Sequence, residues 1–337
     1  MKKILRYSIL SVILILAHFS VSAQEDTSFV KKYRRATFIK PILSFRQADF
    51  SITDQESGAK NSFFVGYRPM VGIGTFIFNI GLEAHFQAPF RLFEDGSRSF
   101  SDENQDFFAH VFTNNFNFDI YRQYYVGFDQ SYRPNDGTLD YSQFNEQATF
   151  FRYGINGIYV PNGKRLSWKG PINQTARQIK SAGSMIYILN VNRVEANGIA
   201  ASPIDCIGCP EAPPVQQVRS WNVGVLPGYS YTWVKSNFYI NATAAPGAVH
   251  YNSFWDIGGE ASGRNSLGFS LYWRAAAGYD NGKWFVGVAT VQQRTWLDND
   301  PYTFAYRQDN FRIFGSIRFG QPKWALRMVD KYRVFQL

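Results

Sequence analysis

The sequence predicts an all-β chain folded as an antiparallel transmembrane β-barrel of about twelve strands, with fourteen as the alternative, and three observations predict it. Segments of about ten residues alternate between apolar and polar side chains from Thr37 almost to Phe319, and side chains of a strand alternate between its two faces. Aromatic residues make up 18% of the chain and glycines number 27, against two cysteines; barrels place aromatics in girdles at both membrane interfaces. The chain opens on an export signal. No later window is apolar enough for a membrane helix, and barrels escape such a scan because alternation dilutes their apolar residues.

The elements follow in order. Residues 1–23, MKKILRYSILSVILILAHFSVSA, set Lys2, Lys3 and Arg6 before the apolar run Ile9 to Ala17 and the small residues Val21-Ser22-Ala23. That is the pattern of a cleavable signal peptide, and the run is too short to span a bilayer. Removing its three positive charges takes the formal charge from +9 to +6. Export argues against nucleic acid as the partner of this basic chain, and leaves outer-membrane lipid and a small solute. Residues 24–36, with Lys31-Lys32 and Arg34-Arg35, read as a solvated leader; 37–319 read as the barrel and 320–337 as a C-terminal tail able to form a short amphipathic helix.

The alternation places strands at 37–52, 61–76, 78–88, 106–113, 116–128, 145–160, 165–175, 181–194, 217–235, 237–251, 265–280, 283–297 and 304–319. Thirteen strands conflict with the even number of bacterial single-chain barrels. Counting from the N-terminus puts the short turns near Ile77, Thr113 and Pro161 at the inner end, and counting back from the C-terminus puts those near Ser236 and Asn281 there; the two counts clash between about Pro161 and Gln217, so one strand there is wrongly split or missed, and twelve are expected with fourteen as the alternative. Pro227 removes a ladder donor and predicts a bulge. Asn281-Gly282 predicts a two-residue type I′ hairpin, with Leu271, Trp273, Ala275, Ala277, Tyr279, Trp284, Val286 and Val288 on a lipid-facing side.

Three stretches then carry a resemblance: FNFDIYRQYYVGF (Phe116 to Phe128), FRYGINGIYVPNGKRLSWKGPINQTARQIKSAGS (Phe151 to Ser184) and LPGYSYTWVKSNFYI (Leu226 to Ile240). In the second, an aromatic strand and a basic turn precede Gln174-x-x-x-Gln178-x-Lys180-Ser181-Ala182-Gly183-Ser184. The chain resembles a Gram-negative, Bacteroidetes-type exported family known only as domain of unknown function family 4421 and described as outer-membrane-barrel-like. Lys169-Gly170-Pro171 and Ala176 stand where the family has Arg-Ala-Ala and Glu. The resemblance implies a fold and a bacterial outer-membrane location, and no activity.

Candidate chemistry is sparse. Cys206 and Cys209 form a CxxC best read as a loop disulfide in an oxidising compartment, since zinc needs four ligands and no histidine has partner spacing. No cofactor or metal is expected. His85 shares a face with Glu83 and Gln87, without a serine or asparagine at triad spacing. Glu83, His85, Asp119, Gln123, Arg152, Asn156, Arg274, Arg312 and Arg318 are expected to face the lumen, either as a mutually paired filling or as a path for a ligand or ion. The function expected is that of an outer-membrane barrel without enzymatic activity, whose lumen or outer loops bind or pass something small. A soluble glycan-binding β-sandwich is the alternative, and it requires the apolar faces to be buried between two sheets.

Overall fold

The computed structural model describes residues 27–33, 36–77, 80–88, 104–113, 115–133, 141–199 and 215–320. The strands are β1 (Val30–Lys32), β2 (Ala36–Asp54), β3 (Lys60–Ile77), β4 (Ile80–Gln87), β5 (Gln105–Phe112), β6 (Phe116–Arg133), β7 (Tyr141–Tyr159), β8 (Ala176–Gln178), β9 (Ala182–Asn197), β10 (Val215–Lys235), β11 (Phe238–Ile257), β12 (Glu260–Asp280), β13 (Trp284–Asn299), β14 (Tyr302–Ile317) and β15 (Phe319–Gly320), with one short helix, α1 (Gly170–Asn173). Twelve of them, β2 to β7 and β9 to β14, form an antiparallel sheet that closes on itself where β14 pairs with β2. Closure removes both sheet edges. The chain is a transmembrane β-barrel, and the sandwich alternative falls because the faces it would bury lie outside: Val286 is 46% exposed.

Each strand carries two environments, and on β2 and β14 they exchange partway along. On β2 the outward residues run Ile39, Pro41, Leu43, Phe45 and then Gln47, Asp49, Ser51, Thr53; the inward ones run Lys40, Ile42, Ser44, Arg46 and then Ala48, Phe50, Ile52. Its partner β14 does the same, with Ile317, Ile313 and Phe311 outside giving way to Asp309 and Arg307, and Arg312 and Gln308 inside giving way to Tyr306 and Phe304. Where the outer wall turns from apolar to polar, the interior turns from polar to apolar. The apolar band belongs in hydrocarbon; beyond it the barrel has a polar skin and a greasy core, as a protein in water does. That core joins Phe50, Phe63, Phe128, Phe150, Val218, Trp255 and Phe304 and fills the lumen at the end where 55–59, 258–259 and 300–301 connect the strands.

The wall also loses two strands at this level. β3 pairs with β4 from Met70 to Ile77 but with β6 from Lys60 to Phe64. The β4–β5 hairpin is therefore a wedge that exists only within the apolar band, and ten strands continue past it. Asn104 staples the fork: its amide donates to Gln87 Oε1 at 2.6 Å and its oxygen accepts from the Val126 backbone at 3.0 Å. Gly127, at φ +74°, lies at the adjoining register shift, where β7 carries two more residues than β6 between Val126 and Phe128.

Four expectations are corrected. The segment 165–175 is not a wall strand; residues 160–181 enter the lumen as an inserted segment carrying α1 and β8. Within the 24–36 leader, Val30–Lys32 is strand β1, paired with β8, and Val30 is buried. Pro227 makes no bulge: the β10–β11 register is unchanged from Val225 to Tyr229, which sets Pro227 opposite Pro246 across a gap in the ladder. At the 281–282 turn only Gly282 has positive φ, Asp280 pairs with Phe285, and the Asn281 side chain accepts from the Lys283 and Trp284 amides. The two-residue turn with both φ values positive is Gly258-Gly259, between Ile257 and Glu260. The signal peptide, the cysteine pair and the tail beyond Gly320 lie outside the described residues.

Candidate functional site: the enclosed lumen

Inward positions of the band carry the polar side chains, because the wall excludes lipid from them and they can reach one another across the barrel. Two inward glycines make room for the densest group. A Cβ on Gly72 would lie 2.5 Å from His85 Nδ1, and one on Gly74 3.1 Å from Lys40 Cε. Glu83 stands between two cations, with Lys40 Nζ at 2.6 Å and Arg312 Nη1 at 2.8 Å. His85 places Nδ1 3.2 Å from Ser44 Oγ and Nε2 3.6 Å from Glu83 Oε2. Ser44 thus completes a serine–histidine–carboxylate row that sequence spacing did not reveal, since 41 residues separate Ser44 from His85. The row is sealed: Ser44 and His85 have no exposed surface, and neither borders the lumen cavity.

Further round the wall, Arg46 Nε meets Asp106 Oδ2 at 2.7 Å, and Tyr125 donates to the same carboxylate at 2.9 Å. His110 Nδ1 lies 2.6 Å from Asp119 Oδ1. Arg152 donates to Gln293 at 2.6 Å, to Tyr121 at 2.9 Å and to Gln308, with its guanidinium over the Tyr121 ring. Asn156 accepts from Asn190, which accepts from Asn192, which in turn accepts from Asn222 at 2.8 Å. Of this asparagine run only Asn156 is among the lumen candidates named above, although the alternate spacing of Asn190 and Asn192 in LNVNRV carries the signal.

The inserted segment closes the opposite end of the lumen from the aromatic core. Arg274 lies flat on Trp168, 3.1 Å from the ring centre, and donates to the Trp168 carbonyl at 3.0 Å. Arg318 grips Asp280 through both guanidinium nitrogens at 2.7 Å and donates to the Gln174 carbonyl at 2.8 Å. Gln174 donates to Tyr239, and Gln178 donates to the Arg165 carbonyl at 2.6 Å. The two glutamines that carry the family resemblance are thus buried braces of the inserted segment, not lumen-wall residues.

Every lumen candidate from the sequence, Glu83, His85, Asp119, Gln123, Arg152, Asn156, Arg274, Arg312 and Arg318, has its side chain inside the barrel, though not in one cluster. Arg318 sits at the turn end against Asp280, and Glu83 with His85 forms a group apart. Asp119, Arg152, Asn156, Arg274 and Arg312 border a central cavity of about 110 Å³, together with Arg46, Phe108, Tyr121, Trp168, Tyr272 and Gln308. Among the described residues no group of three or more His, Cys, Asp or Glu side chains could hold a metal ion.

Solved structures similar to the chain include the outer membrane protease OmpT from Escherichia coli, at 8% identity over 89% of this chain and 100% of that one, with a TM-score of 0.44. They also include the Pseudomonas putida toluene transporter TodX, at 8% identity over 91% and 93% with a TM-score of 0.27, and the Yersinia pestis attachment invasion locus protein Ail, at 8% identity over 85% and 100% with a TM-score of 0.18. No curated protein sequence matches the chain. Residues 24–319 match the family described as Domain of unknown function (DUF4421), and the chain belongs to that family.

Proposed function

We propose that this is a bacterial outer-membrane protein without enzymatic activity, whose lumen is closed at rest and holds a small ligand rather than conducting solute freely. The observation that carries the reading is the double closure of the lumen. The core around Phe50, Trp255 and Phe304 fills one end, residues 160–181 fill the other, and hydrogen-bonded charges occupy the wall between them. Short turns at 236–237 and 281–283 support a periplasmic position for this end, where β1 and the inserted segment also lie; the polar-skinned section then projects outward from the cell.

A non-catalytic role is supported at the serine–histidine–carboxylate row. Glu83 is committed to Lys40 and Arg312, and a substrate carbonyl would have no room beside the buried Ser44 hydroxyl. The test is conductance of the purified full chain in a planar bilayer. The expected result is no steady current; a stable ohmic channel would overturn the closed lumen. Phospholipid or peptide hydrolysis abolished by Ser44→Ala would overturn the non-enzymatic part.

A further inference from the structure

We propose that the central cavity is a binding site for a small oxyanion, a short carboxylate or inorganic phosphate, seated between Arg152, Arg312 and Arg46. The proposal deepens the closed-lumen reading above and rests on it. Five buried cations border the cavity, Arg46, Arg152, Lys169, Arg274 and Arg312, and Lys40 is held by Glu83 nearby, while the carboxylates at that level are Glu83, Asp106, Asp119 and Asp309, the last paired with Arg307. Glu83 is shared by two of the cations and Asp106 is taken by Arg46. Arg152 and Arg274, both nine-tenths or more buried, make no ion pair among the described residues. Neutral amides, hydroxyls and ring faces hold them instead. A buried charge without a counter-charge is strongly unfavourable, and the imbalance favours whatever anion can enter.

Unused hydrogen-bonding capacity points the same way. Arg152 Nε, Arg312 Nε, Arg46 Nη2 and Gln308 Nε2 are buried donors without acceptors, all on residues that border the cavity. On β14, between Gln308 and Arg312, Asn310 Oδ1 is a buried acceptor without a donor on a residue that also borders the cavity, available to receive a hydroxyl or a protonated oxygen. Phe108, Phe112, Tyr272 and Val291 supply an apolar side for a short hydrocarbon tail. At about 110 Å³ the space is smaller than the roughly 150 Å³ cavity that admits benzene, which limits the ligand to the size of acetate, propionate or phosphate.

The test is the melting midpoint of the folded full chain in detergent, read as loss of the compact band on unboiled gels. Sodium acetate, propionate or phosphate is titrated at constant ionic strength made up with chloride. The expected result is a saturable upward shift of the midpoint with at least one oxyanion and none with chloride; which arm responds names the source. Arg152→Met removes one unpaired charge, so it should melt no lower than wild type in chloride and should lose the shift. Should that variant fail to fold, Asn310→Asp supplies a carboxylate from the wall and should raise the chloride midpoint while abolishing the response. Absence of a saturable shift in any arm, or an equal shift in the folded variant, overturns the site. Steady conductance with the shift intact would overturn the closed lumen and leave the oxyanion site standing.

Discussion

Replacing Glu83 by Gln tests whether the lumen charges are mutually compensated. The substitution keeps the shape and removes the one negative charge that Lys40 and Arg312 share, at 2.6 and 2.8 Å. Neither cation can turn to water, since their side chains are 1% and 5% exposed. Removing one partner of a buried ion pair costs about 3–5 kcal/mol, a factor of roughly 10² to 10³·⁵ in the folding equilibrium at 1.4 kcal/mol per decade. The assay is urea unfolding in lipid vesicles followed by tryptophan fluorescence. Lys40→Met added to Glu83→Gln removes one stranded cation, so the double variant should recover part of the loss, and the cycle should show coupling above about 0.5 kcal/mol. A loss below about 1 kcal/mol for the single variant, or a double variant no more stable than it, would refute the reasoning.

Phe50 touches Phe63, Phe128, Phe150 and Phe304 at centroid distances of 4.6 to 6.0 Å, so Phe50→Ala should cost about 3–5 kcal/mol in the same unfolding assay. Ile313→Arg places a charge on the lipid side of β14 and should cost about 2–4 kcal/mol, while Ser51→Arg, on the outward face of neighbouring β2 beyond the band, should cost about 0–1; equal effects would contradict the change of environment along the wall. Arg318→Met releases the Gln174 carbonyl and leaves Asp280 unpaired, so tryptic cleavage within 160–181 should accelerate in detergent while the wall strands stay protected. Gly72→Val crowds His85, which has no exposed surface to move into, and should lower stability by about 1–3 kcal/mol.

Strand alternation made the band of the barrel legible, because one parity is wet by hydrocarbon and the other is enclosed; Ile39 to Phe45 and Phe311 to Ile317 carry that signal in their residues alone. The same rule misled beyond the band. At Tyr251 and Trp255 the inward residues become bulky while His250 and Asn252 outside are polar, so β11 and β12 were expected to stop at 251 and to start at 265, and the Gly258-Gly259 turn went unread. The inserted segment was misread because its residues alternate acceptably while being buried on every side; Gly170-Pro171, which suits a helix start and not a strand interior, was the available signal. Partners across the lumen, such as Ser44 with His85 and Arg152 with Gln308, come from barrel closure and register, which no local pattern encodes.

The exchange of environments along one strand is tested most directly by nitroxide labels at outward positions of β14 in a chain lacking Cys206 and Cys209. Labels replacing Ile317, Ile313 and Phe311 should relax with dissolved oxygen as lipid-exposed groups do, and labels replacing Arg307 and Thr303 should relax with a water-soluble nickel chelate. Uniform oxygen accessibility along the strand, or nickel accessibility at Ile313, would contradict a lipid band that ends between Phe311 and Arg307.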